Sequence, residues 1–167
     1  MTIRKATTED ISSILKIIKQ AQTYFKENNI DQWQNDYPNY STIEADINNR
    51  FSYVVLSEDR IVATFMVTDD EEVTYKKIYE GNWLSESNYL VIHRIAVDNN
   101  CKGKGLSGLI IEYVATMAKS IQVPSIRVDT HEENKSMRKT LLKHDFKECG
   151  VIYLLDGAKR IAFEKLV

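Results

Sequence analysis

The chain has 167 residues, the length of one domain with volume enough to bury a core, and is expected to fold as a single domain over 1–167. Hydrophobic residues make up 43% and charged residues 28%, and the formal net charge is −2 with no long run of one sign, so the clustered basic footprint of a nucleic-acid binder is missing. No apolar stretch approaches the ~18 residues of a membrane span. No signal-peptide core follows the N-terminal Met-Thr-Ile-Arg-Lys. Cys101 and Cys149 make neither a disulfide framework nor a CxxC zinc site. These features predict a cytoplasmic protein with reduced thiols, no metal, and no nucleic-acid or membrane partner.

In chain order, the residues after Met1 suit a short strand. Thr7 and Asp10 form a capping-type helix start, and Ile11, Ile14, Leu15, Ile18 and Phe25 recur at helical spacing. Residues 28–40 are polar, aromatic and turn-rich, which predicts a loop, and a short helix is expected near Ser41–Asn49. Phe51–Ser57 and Ile61–Val67, parted by Glu58-Asp59-Arg60, read as a hairpin. Residues 69–88 suit a short helix or an irregular flap. Tyr89–Val97 is almost continuously apolar, as in a strand covered on both faces. Leu106, Leu109, Ile110, Tyr113, Val114 and Met117 trace one helical face. A strand over Ser125–Thr130 precedes a helix that Asn134 can cap, running to about His144 with Met137 and Leu141 inward. Phe146–Leu155 and Lys159–Leu166 finish as strands turning at Asp156-Gly157. The order β-α-α-β-β-β-α-β-α-β-β implies a mixed sheet with helices packed on it.

The segment CKGKGLSG, Cys101–Gly108, lies between a buried strand and an amphipathic helix. Free backbone N–H groups and the helix dipole favour an anion there, and glycines let the backbone approach a pyrophosphate closely. Lys102 and Lys104 add charge at the rim. Gly103, Gly105 and Gly108 also spell GxGxxG, with Asp129 about 20 residues on, the dinucleotide pattern. Asp98–Lys102 separate the first glycine from the strand, however, and 59 residues after Gly108 are too few for a doubly wound sheet with a catalytic domain. The Walker ending Gly-Lys-Ser/Thr is absent.

The strand Ile92-His93-Arg94-Ile95-Ala96-Val97 followed by Asn100-Cys101-Lys102-Gly103-Lys104-Gly105 resembles the central acetyl-CoA motif of the GNAT superfamily of N-acetyltransferases. Asn100 stands where that pattern has Arg or Gln. Asn134 with Met137 and Leu141, followed by Lys143 and Phe146, is similar to the family's helix after the fifth strand. The resemblance implies an α/β (α+β) fold, a mixed and mostly antiparallel sheet of about seven strands flanked by about four helices. It implies that backbone groups of Ile95, Ala96 and Val97 pair with the pantetheine arm of acetyl-CoA. The amides of Lys102, Gly103, Lys104, Gly105, Leu106, Ser107 and Gly108 would hold the pyrophosphate. Asn134, with Met137 and Lys143 on its helix, would meet the cofactor from the opposite side. A backbone N–H near Ala96 would polarise the thioester carbonyl.

Acetyl transfer to an amine needs a base, because an amine with pKa about 10 arrives protonated. His93 is the candidate, an imidazole that interrupts an apolar strand two residues before the cofactor segment; strict alternation would put Val91, His93 and Ile95 on one face. Arg94 would face the other way and pair with a carboxylate. Glu80 is the second candidate base. The tyrosine that the family often carries as acid is replaced by Leu141, which leaves Tyr153 or water to protonate the thiolate. Trp33, Tyr37 and Trp83 are candidates for an acceptor wall, and the acids Asp31, Asp36, Asp69, Asp70, Glu71 and Glu72 hint at a cationic substrate. The expected activity is transfer from acetyl-CoA to a primary amine of a small molecule, amino acid or peptide, by a monomer or homodimer. The alternative is a catalytically weak acyl-CoA sensor.

Overall fold

A computed structural model describes all 167 residues. The elements are β1 (Thr2–Lys5), α1 (Ile11–Glu27), α2 (Tyr40–Asn48), β2 (Ser52–Ser57), β3 (Arg60–Thr68), β4 (Tyr89–Val97), α3 (Leu106–Ser120), β5 (Ser125–Thr130), α4 (Lys135–Lys143), β6 (Lys147–Tyr153) and β7 (Lys159–Leu166). Their order is the expected one. The seven strands run β1-β2-β3-β4-β5-β7-β6 across one sheet. The β4–β5 ladder is parallel, while β1–β2, β2–β3, β5–β7 and β6–β7 are antiparallel. No helix is long and apolar enough to cross a membrane.

Two compact units form, each from two segments: Met1–Val67 with Arg94–Ser107, and Thr68–His93 with Gly108–Val167. Neither is contiguous in sequence, because the chain passes from one to the other at the end of β3, inside β4 and again at the first turn of α3.

In the first unit, Asp10 starts α1 by accepting a hydrogen bond from the Thr7 amide at 2.8 Å. Arg4 grips the same carboxylate at 2.6 and 3.0 Å and holds it below the usual carboxylate range. Helical spacing then brings Ile11, Ile14, Ile17, Ile18 and Phe25 inward. Asn39 caps α2 by accepting from the Thr42 amide at 3.1 Å, and α2 sends in Ile43 and Ile47. The isoleucines of both helices meet Ala6, Val54 and Ala96 in one core. Each fully buried isoleucine contributes about 1.5–3 kcal/mol.

In the second unit, residues 69–88 take the irregular alternative, with only a single 3-10 turn at Val73–Tyr75. Irregular backbone needs partners elsewhere. Tyr79 supplies one set by bridging to Val151, each amide donating to the other's carbonyl at 2.8 Å. The Trp83 indole N–H donates to the Tyr75 carbonyl at 2.9 Å. Arg127, buried on β5, sits 4.1 Å from the Trp83 ring centroid and 4.0 Å from that of Tyr89. Its guanidinium donates to the Ser85 carbonyl at 2.7 Å and to the fully buried Glu164 at 3.2 Å. Ser125 and the Leu84 amide also donate to Glu164, so this buried charge pair is satisfied on every side. A second core of Tyr75, Val91, Ile152 and Ala162 lies in this unit.

Some boundaries shift. The strand expected over Phe146–Leu155 runs over Lys147–Tyr153, and the Phe146 amide still donates to the Leu141 carbonyl of α4 at 3.1 Å. β4 is not covered throughout: Leu90, Val91, Ile92 and Ala96 are buried, whereas His93, Arg94 and Ile95 are half-buried.

Candidate active site

The turn after β4 is built by side chains that take up its early amides. Asp98 accepts from the Asn100 amide at 2.9 Å, and Gln20 of α1 accepts from the Asn99 amide at 2.7 Å. The chain then runs exposed from Lys102 to Gly105, and Gly103 and Gly105 both adopt φ 77°. A Cβ at either glycine would meet nothing within 4 Å, so open space faces a left-handed backbone that only glycine takes without strain. Leu106, buried, anchors the start of α3. This open, glycine-lined turn at the start of α3 is where the sequence reading expects an anion. Two of its residues have other tasks. Gly108 is buried, and a Cβ there would lie 2.5 Å from His144 Nε2, so its smallness serves packing. The Lys102 ammonium lies 4.8 Å over the Tyr24 ring on α1.

Upstream of the turn, the β4–β5 ladder covers Tyr89–Val91 and stops at Val91↔Arg127. Ile92 and His93 are thus released from that ladder. His93 Nε2 lies 3.3 Å from Glu72 Oε2, and Nδ1 lies 4.0 Å from Asp129 Oδ2. Glu72 also accepts from the Thr74 amide at 3.2 Å and hydroxyl at 2.9 Å. The hydrogen bond with His93 and those from Thr74, opposed by burial, hold the Glu72 carboxyl down at about 2. Tyr75 donates to Asp129 Oδ2 at 2.7 Å, and burial pushes its phenol well above the usual range. Tyr75 is therefore a fixed donor that orients Asp129. With Nε2–H donating to Glu72, Nδ1 keeps its lone pair, and an imidazolium would lie against two carboxylates. The group is not a set that could hold a metal ion.

The acetyltransferase (GNAT) family matches residues 15–146. The chain belongs to the GNAT acetyltransferase family. A GNAT-family acetyltransferase from Streptococcus agalactiae 2603 is 34% identical, with 99% of this chain and 95% of that one covered and a TM-score of 0.89. A GNAT-family acetyltransferase from Listeria monocytogenes 4b F2365 shares the fold at 20% identity, 99% and 94% coverage and TM-score 0.75. So does a ribosomal-protein-alanine N-acetyltransferase from Brucella melitensis, at 17% identity, full coverage of both chains and TM-score 0.71. No curated protein matches this chain. The mixed seven-stranded sheet with four helices is the GNAT fold, and the chain is an acetyltransferase of a family that uses acetyl-CoA.

The other residues singled out from the sequence are scattered more widely. Glu80 is exposed; the flap carboxylate that reaches His93 is Glu72 instead. Tyr153 stacks edge-on against Tyr79 on the outer strand β6, with β5 and β7 between that strand and β4. At about 4.8 Å per strand that is about 14 Å across the sheet. Trp33 turns inward, 5.5 Å from Phe25 and against the first core, while Tyr37 is exposed and its hydroxyl accepts from Arg94. Trp83 packs on Arg127 and the second core. Asn134 caps α4, accepting from the Met137 amide at 3.3 Å and donating to Thr130. Met137 is half-buried, Lys143 is exposed, and Leu141 is fully buried. Arg94 does pair with a carboxylate, that of Asp46.

Sequence reasoning passed over Glu72 as one of six scattered acids. It read Asp129 only as the acidic position of a dinucleotide pattern and gave Tyr75 no role. The available signal was Glu72-x-Thr74, in which a side chain takes up the amide of a turn.

Proposed function

We propose that this acetyltransferase moves an acetyl group from acetyl-CoA to a primary amine of a small molecule, amino acid or peptide, directly and without a covalent enzyme intermediate. The observation that carries the reading is His93, flanked by Glu72 and Asp129 and two residues before the segment that leads to the glycine cradle. Backbone groups of Ile95, Ala96 and Val97 pair with the pantetheine arm, and the amides around Gly103 and Gly105 receive the pyrophosphate. Asn134, Met137 and Lys143 remain candidates for cofactor contact. His93 Nδ1 takes the ammonium proton, and the freed amine nitrogen attacks the thioester carbonyl. A backbone N–H near Ala96 stabilises the oxyanion. As the tetrahedral carbon collapses, the nitrogen gives up its second proton to water, the C–S bond breaks, and the thiolate that leaves takes a proton from water. Leu141, buried in α4, offers no hydroxyl for that step.

The test is His93→Ala. Turnover should fall by about a hundredfold or more with acetyl-CoA affinity nearly intact, and the rising limb of the pH–rate profile should vanish. A variant that keeps both rate and profile removes His93 from the chemistry.

A further inference from the structure

Arg94 lies inside β4 with φ 54°, a conformation that L residues with bulky side chains rarely adopt. Glycine would take it freely. The chain instead carries an arginine whose guanidinium is held by two other elements. Nε donates to Asp46 Oδ2 at 2.8 Å and Nη2 to Asp46 Oδ1 at 2.6 Å, a bidentate pair with α2. Nη1 donates to the Tyr37 hydroxyl at 2.8 Å. Both ends of the ion pair are largely buried, with side-chain exposures of 14% and 10%. The anchors are themselves tied down. The Asn39 cap fixes the start of α2, and Gln22 of α1 donates to the carbonyls of Tyr37 and Pro38 at 3.1 Å each.

A left-handed residue inside a strand re-aims its neighbours and breaks the alternation that would put His93 and Ile95 on one face. Strain of this kind persists only where surroundings over-determine it. We infer that Arg94 is a positioning residue: the clamp from Asp46 and Tyr37 fixes the local course of β4 and so the setting of His93, tying the loop that carries Tyr37 to the catalytic strand. This rests on His93 being the base.

Arg94→Gly separates the clamp from the dihedral, because glycine keeps φ 54° at no steric cost. Tyr37→Phe removes one leg of the clamp from an exposed residue and leaves the fold intact. The expected result is a kcat lowered at least about thirtyfold in Arg94→Gly and roughly three- to tenfold in Tyr37→Phe, with acetyl-CoA affinity within about threefold of the parent. The imidazole resonance of His93, assigned by its loss in His93→Ala, should change shift and titration midpoint in both variants. That reading needs no turnover, so an inactive parent would defeat the proposed function while leaving the clamp testable. If Arg94→Gly does not fold, Tyr37→Phe decides alone. Parent-like kcat and an unmoved His93 resonance in the folded variants would overturn the positioning role and leave the clamp purely architectural.

Discussion

Replacing Glu72 with glutamine keeps the shape of the side chain and its acceptor for Thr74, and removes the charge beside His93. The carboxyl stands at about 2 instead of 4.5 in the fold. At 1.36 kcal/mol per unit that difference sets a ceiling of about 3 kcal/mol, and exposure of 29% of the side chain reduces it to about 1–2 kcal/mol. A carboxyl depressed in the folded state stabilises fully above its unfolded pKa, and that stability is lost as pH falls through the folded value. Urea unfolding of parent and Glu72→Gln should therefore differ by about 1–2 kcal/mol near pH 5, and the difference should shrink as pH falls to about 2. Turnover should fall about ten- to a hundredfold, because the imidazolium loses one of its two counter-charges. A stability gap that stays constant from pH 5 to 2.5 would refute the ion pair. Unchanged turnover would refute its part in the chemistry.

The two glycines of the turn separate cleanly. Gly105→Val should weaken acetyl-CoA binding tenfold or more by calorimetry, about 1.4 kcal/mol, and its loss of stability should come from the strained left-handed backbone and not from a clash, since open space faces that position. Gly108→Ala should instead lower the melting temperature, as its methyl group meets His144, and His144→Ala should restore it. Trp33→Ala should cost about 2–4 kcal/mol in denaturant unfolding through the lost contact with Phe25 and the first core, with little specific change in the amine Michaelis constant.

Element order was readable because it depends on local signals: the periodic isoleucines of α1, the Asn134 cap and the apolar run of β4. The glycine turn was readable because a left-handed φ at Gly103 and Gly105 leaves a direct mark on residue choice. The surroundings of His93 were not. Glu72 and Asp129 lie 21 residues before and 36 after His93, and only the anchored flap and the β4–β5 pairing bring them together. The course of β4 was hidden for the same reason, since nothing local to Arg94 announces φ 54°; its cause is Asp46, 48 residues away. The packing of the aromatic loop was hidden too. Composition marks Trp33 and Tyr37 alike, but only packing shows one turned inward and the other exposed.

The central claim is amine acetylation by direct transfer. It is tested most directly by following CoA thiol release from acetyl-CoA across a panel of primary amines, amino acids and peptides, with mass detection of the acetylated product. Amine-dependent release with intersecting initial-velocity lines is the predicted result. Parallel lines would contradict direct transfer. Tight acetyl-CoA binding with no amine-dependent release across the whole panel would contradict the enzyme and favour an acyl-CoA sensor.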